Sequence, residues 1–126
     1  MWLVAAGLAA SSCAGLHYTQ ADAGRMVLAA VRLTPSAARR GVVPRVELIR
    51  TSPRGWALRA YAMPPCDPGI DVCSNLLGHY SVSRRELRLV NEDAGFDGVR
   101  IDTPATRRAR EAIIRAHCRA LSNRPS

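Results

Sequence analysis

The sequence predicts an α+β domain with an N-terminal helix, an antiparallel sheet of three to four strands, and a C-terminal helix packed on the sheet. Three observations predict it. Residues 45–50 and 56–63 alternate apolar and polar side chains around a Ser52-Pro53-Arg54-Gly55 turn, which is the pattern of a hairpin. Further short apolar runs lie between Gly78 and Val90. The chain closes with a long segment opened by Asp102-Thr103-Pro104, a capping side chain followed by proline at the first helical position. Helix, strands, loop, strands and helix in that order make an antiparallel sheet covered by helices.

The first element is read as an address. Trp2 to Ala10 (WLVAAGLAA) has the length and composition of a signal h-region. Its apolar character ends at Ser11 and Ser12, well short of the roughly 20 apolar residues a membrane span requires. The segment Ala10-Ser11-Ser12-Cys13 resembles a bacterial lipobox, which implies lipidation of the Cys13 thiol and a mature chain beginning there. Ala21-Asp22-Ala23 is a competing A-x-A cleavage pattern. The competing structural reading is a buried alanine-rich helix of a cytosolic protein. On the export reading, 1–12 is a signal peptide, 13–21 a tether and 22–126 a single domain.

Within that domain Asp22 is expected to cap a helix carrying Met26, Val27, Ala30 and Val31 on one face. Thr34-Pro35 interrupts it and starts a short second turn that ends at Gly41. Val46 and Leu48 share one side of the first strand, and Trp56, Leu58, Ala60 and Ala62 one side of the second, leaving Arg59 and Tyr61 on the other. Between Gly78 and Val90, Tyr80 and Val82 have even parity while Leu87 and Leu89 have odd parity. One flat strand cannot turn all four inward, so either a turn or a bulge lies near Ser83–Arg85, and a tight hairpin is the preferred reading. In the final helix Ala105, Ala109, Ala112, Ile113, Ala116 and Ala120 form an apolar stripe, with Arg108, Arg115 and Arg119 along its flank.

Composition bounds the class. The chain has 126 residues, 48% of them hydrophobic, and a formal net charge of +8, which fits one basic globular domain. All 18 cationic side chains are arginine. Such a field favours acidic partners, which for an exported chain are an acidic protein or an anionic envelope component rather than nucleic acid. Arginine usage of this kind follows from a GC-rich genome, or from selection for bidentate contacts to carboxylate or phosphate. Cys66 and Cys73 flank an Asp67-Pro68-Gly69-Ile70 turn and are the expected disulfide; a bridge from Cys118 to either is the alternative.

Gly78, Tyr80 and Val82 form a Gly-x-Tyr-x-Val strand that follows a helix and a hairpin. This resembles the cystatin-like and nuclear-transport-factor-like sheets of small exported bacterial lipoproteins, including periplasmic immunity proteins. The resemblance spans residues 22–95 and implies a binder or inhibitor.

No catalytic residue, metal ligand set or cofactor motif is assigned. Cys66 and Cys73 with His79, His117 and Cys118 match no usual zinc spacing, and the acidic loop 91–98 fails the calcium-loop pattern at Gly95 and Pro104. His117 and Cys118 are adjacent on a helix and point about 100° apart. The expectation is therefore a non-enzymatic, lipid-anchored protein of the periplasm or cell envelope. Its expected partner contacts are Arg59, Tyr61, Arg84, Arg85, Arg88, Arg108, Arg115 and Arg119, which combine charge with an aromatic side chain. The alternatives are a structural or assembly component of an envelope complex and a small enzyme using His79.

Overall fold

The computed structural model describes Cys13, residues 16–63 and residues 75–123. The expected signal segment 1–12 and the Cys66–Cys73 loop lie outside these residues. The elements are α1 (Gln20–Ala30), α2 (Pro35–Arg39), β1 (Val43–Ser52), β2 (Gly55–Met63), β3 (Leu76–Ser83), β4 (Leu89–Asn91), β5 (Val99–Arg100) and α3 (Pro104–Ser122).

Helix α1 starts because Thr19 and Asp22 satisfy each other's backbone. The Asp22 N–H donates to Thr19 Oγ1 at 3.2 Å, and the Thr19 N–H donates to Asp22 Oδ2 at 2.9 Å. This reciprocal capping box makes Thr19 the cap and Asp22 the third helical residue. The sequence pattern points to Asp22 as the cap itself; a carboxylate three residues inside the helix does the complementary half of that work. The helix thus begins within the stretch read as a tether. Ala23, Met26 and Val27 are buried on its inner side. The A-x-A pattern Ala21-Asp22-Ala23 thus lies in the first turn of a packed helix, and a cut after Ala23 would remove the cap Thr19 and Asp22. Thr34 accepts from the Ala37 N–H at 3.1 Å and, with Pro35, opens α2 as expected. Gly41 at φ +79° then turns the chain into β1.

The sheet is a five-stranded antiparallel meander in the order β1-β2-β3-β4-β5. The α+β class matches the expectation, with more strands than the three to four foreseen. β4 has three residues and β5 two, too few for an alternating pattern to stand out. Pairing of Val46 with Ala60 and Leu48 with Leu58 puts the apolar sides of β1 and β2 together. Trp56, Leu58 and Ala60, Tyr80 and Val82, and Leu87 and Leu89 form one buried cluster with α1 and Ile113 of α3. Fully burying a side chain such as Leu58 contributes about 2 kcal/mol. β1 is a sheet border; Pro44 sits in it, and the register shifts between Leu48 and Arg50, leaving Ile49 in a bulge.

The turn expected near Ser83–Arg85 is present, and Leu87 completes it at φ +53°. A leucine in the left-handed region costs about 1 kcal/mol, yet Leu87 is fully buried, which offsets that cost. This is why neither glycine nor asparagine marks the turn.

Helix α3 opens on a second capping box between Thr103 and Thr106. It packs mainly along α1, not flat on the sheet, and joins the core through Ile113. Its inward line is Thr106, Ile113 and, half-buried, Ala109 and His117. Ala112, Ala116 and Ala120, expected in the core stripe, are exposed. The hydroxyl of Thr106 belongs to the cap and His117 has a buried partner in α1, so these polar side chains set which side faces in.

Candidate functional site

In a meander every second turn falls at the same end of the sheet. The β1–β2 turn and the β3–β4 turn therefore meet, and they carry Arg54, Arg84, Arg85 and Arg88, with Arg50 close by on β1. The two turns are fastened. The Arg84 N–H donates to the Arg54 carbonyl at 2.8 Å, and Arg84 Nη2 donates to the Ser52 carbonyl at 3.0 Å. The Arg84 guanidinium lies 4.5 Å from the ring centre of Trp56, a cation–π contact. Gly55 allows the close approach: a Cβ there would run into the Val82 carbonyl oxygen. Within the second turn the Ser83 N–H donates to the Arg88 carbonyl at 2.9 Å and the Leu87 N–H to the Ser83 carbonyl at 3.0 Å.

Two clefts flank this junction. One, of about 200 Å³, is lined by residues including Arg50, Ser52, Arg54, Ser81 and Ser83. The other, of about 340 Å³, is lined by Pro53, Arg54, Ser83, Arg85, Glu86 and Arg88. Arg54 and Ser83 belong to both. Of the five arginines, Arg84 is committed to holding the turns and Arg88 Nη2 reaches Glu86 at 3.2 Å. Arg50, Arg54 and Arg85 are exposed and have no carboxylate partner among the described residues.

The expected contact residues thus divide into three groups. Arg84, Arg85 and Arg88 meet at the arginine end. Arg59 and Tyr61 lie on the uncovered side of β2, where Arg59 stands between Glu47 and His79 in the register and bonds Glu47 at 2.7 Å. Arg108, Arg115 and Arg119 are exposed on α3, and none lines either cleft. The reading from sequence passes over Arg50 and Arg54. Arg54 is legible as a turn residue, and the alternation of turns in a meander is the signal that places it beside Arg84 and Arg85.

His79 is pinned by Asp93: its backbone N–H donates to Asp93 Oδ2 at 2.8 Å, and its Nδ1 lies 3.0 Å from Oδ1. These hydrogen bonds, the backbone one foremost, hold the Asp93 carboxyl below its ordinary pKa. The pair joins β3 to the loop after β4. Ser81, two residues along the same face, gives its proton to Glu92 Oε1 at 2.6 Å, so it is not presented to His79. Among the described residues no group of three or more His, Cys, Asp or Glu side chains converges.

A second polar cluster joins the chain's two helical ends. Cys13 forms a disulfide with Cys118 of α3, with Cα atoms 5.7 Å apart. Beside it His117 Nε2 lies 2.7 Å from Asp22 Oδ2, and the Tyr18 ring meets His117 edge-on at 5.6 Å. Burial raises the Asp22 carboxyl, but the Thr19 N–H and His117 outweigh it and leave it below its ordinary pKa. Burial, followed by the nearby Asp22 charge, raises the Tyr18 hydroxyl. Cys118 joins Cys13, which overturns the alternative bridge from Cys118 to Cys66 or Cys73, while the expected Cys66–Cys73 bond lies outside the described residues. A sulfur engaged this way carries no lipid, so this bond and the lipobox pattern give Cys13 mutually exclusive fates. The pairing also leaves Cys66 and Cys73 as an even remainder.

Compared with known protein families, curated proteins and solved structures, the chain matches none.

Proposed function

We propose that this chain is an exported, non-catalytic protein of the cell envelope that binds an acidic macromolecular partner through its arginine end. The observation that carries the reading is that Arg54 and Arg85 stand on fastened turns, with Arg50 beside them on β1, and that none of the three has a carboxylate partner among the described residues. Among the described residues no ion pair neutralises them, and guanidiniums suit bidentate capture of an incoming anion. Export is supported by the apolar stretch at 2–10. It is supported as well by the Cys13–Cys118 disulfide, a bond that persists in oxidising compartments. We assign Cys13 to that bond, so attachment to the membrane by a lipid on Cys13 is not part of the reading. Neutralisation of an acidic toxin, as by a periplasmic immunity protein, is one specific form of the proposed role.

The test is retention of the oxidised full chain on immobilised polyglutamate at low and raised salt. Retention is expected to fall as salt screens the contact. Reversing both charges, Arg54→Glu with Arg85→Glu, is expected to weaken it by about tenfold or more, whereas Arg115→Glu on α3 leaves most of it. Retention indifferent to salt, or lost equally with the α3 variant, refutes the arginine end as the site.

A further inference from the structure

We infer that the junction of the two clefts is built for a tetrahedral oxyanion, the phosphoryl group of a phosphate ester or of free phosphate. The inference rests on the binding role proposed above and names the chemical group recognised. Three features lead to it.

The first is donor surplus. A carboxylate offers two oxygens and one charge, and a single guanidinium satisfies it with two parallel bonds. Arg54 is shared by both clefts, Arg50 lines one and Arg85 the other, so the two clefts together are lined by three arginines with no carboxylate partner among the described residues. A phosphoryl group carries up to two charges and three oxygens able to accept from several donors at once. The second is Ser83. Its Oγ accepts from the Arg88 N–H at 2.9 Å, while its own proton has no acceptor among the described residues, so it remains a donor at the rim of both clefts. The third is the state of the neighbouring acids. Glu86, which lines one cleft, is paired with Arg88, and Glu92 lines neither cleft. The fastening through Arg84, Trp56 and Ser52 sets the backbone that carries Arg54 and Arg85 before any ligand arrives, which lowers the ordering cost of binding.

The experiment is calorimetric titration of the oxidised full chain with inorganic phosphate and with acetate at matched ionic strength. Two further arms use polyglutamate, and vesicles of phosphatidylcholine with and without phosphatidylglycerol. Phosphate is expected to bind about tenfold or more tightly than acetate. Arg54→Gln is expected to remove most of that preference, and Arg85→Gln serves as the second variant should the first fold poorly. Binding to the anionic vesicles in addition identifies a lipid headgroup as the source; binding to soluble phosphate alone identifies a water-soluble phosphate compound. Equal binding of phosphate and acetate, or a preference untouched by either substitution, overturns the inference. Polyglutamate binding without phosphate binding overturns it while leaving the broader acidic-partner reading in place, and absence of both overturns the two together.

Discussion

Two polar regions of this molecule treat charge in opposite ways. At the seam between α1 and α3, Asp22 is buried, and its Oδ2 meets both the Thr19 N–H and His117 Nε2, with a disulfide alongside. At the arginine end, three exposed arginines have no acid to meet them among the described residues. Polar groups whose partners are supplied within the chain stabilise the fold. Charges left unpaired on a rigid frame contribute little to it, and self-repulsion even works against it. The contrast separates side chains that hold the molecule together from side chains available to something else.

The largest effect should come from breaking the seam covalently. Cys118→Ser opens a ring that spans 105 residues of sequence separation. In the chain-entropy model the loss is about 4–5 kcal/mol, measurable as a lower urea midpoint. The variant should keep its binding at the arginine end for as long as it stays folded. Peptide mapping without reductant should find Cys13 joined to Cys118; a thioether-linked lipid on Cys13 instead would remove the covalent half of the comparison.

Next in size is Asp22→Asn, which keeps the shape but weakens both charge-assisted bonds and should cost about 2 kcal/mol by denaturant titration. The pH dependence follows from the sign of the shift. Asp22 is held below its ordinary pKa in the folded chain, so its contribution is present above the unfolded value. That contribution fades below about pH 4 as the carboxyl takes up its proton. The wild-type chain should lose stability along that acid limb more steeply than the Asp22→Asn variant; parallel curves for the two would show that Asp22 is not the group responsible.

The smallest effect on stability should come from the arginine end. Arg54→Gln is expected to move the unfolding free energy by no more than about 0.5 kcal/mol, with relief of repulsion acting to raise it, although the same change is expected to weaken anion binding. A loss of stability comparable to that of Asp22→Asn would dissolve the distinction between the two regions.

Much of the frame can be read from residue order. Alternation in β1 and β2, the Ser52–Gly55 turn and the Thr-Pro helix starts at 34–35 and 103–104 are local signals, written by neighbours in sequence. What cannot be read depends on distant partners. Nothing near Cys13 points to Cys118, and nothing near Asp22 points to His117, 95 positions away. The rotation of α3 has the same origin, since a stripe of alanines competes poorly with a histidine that has a buried acid to meet. Leu87 is hidden for another reason: its backbone strain is offset by burial, and burial is a property of the whole fold. At the site, the individual arginines of the second turn are legible, but their grouping with Arg50 and Arg54 requires the order of the strands.

The guarded border of β1 narrows how anything else can approach. Ten residues of open strand would ordinarily template an intruding chain and nucleate fibrous stacking. Pro44 withholds one donor, and the bulge at Ile49 throws the ladder out of step, so an incoming strand would meet only a brief stretch of regular backbone between them. Strand addition along β1 is thereby disfavoured.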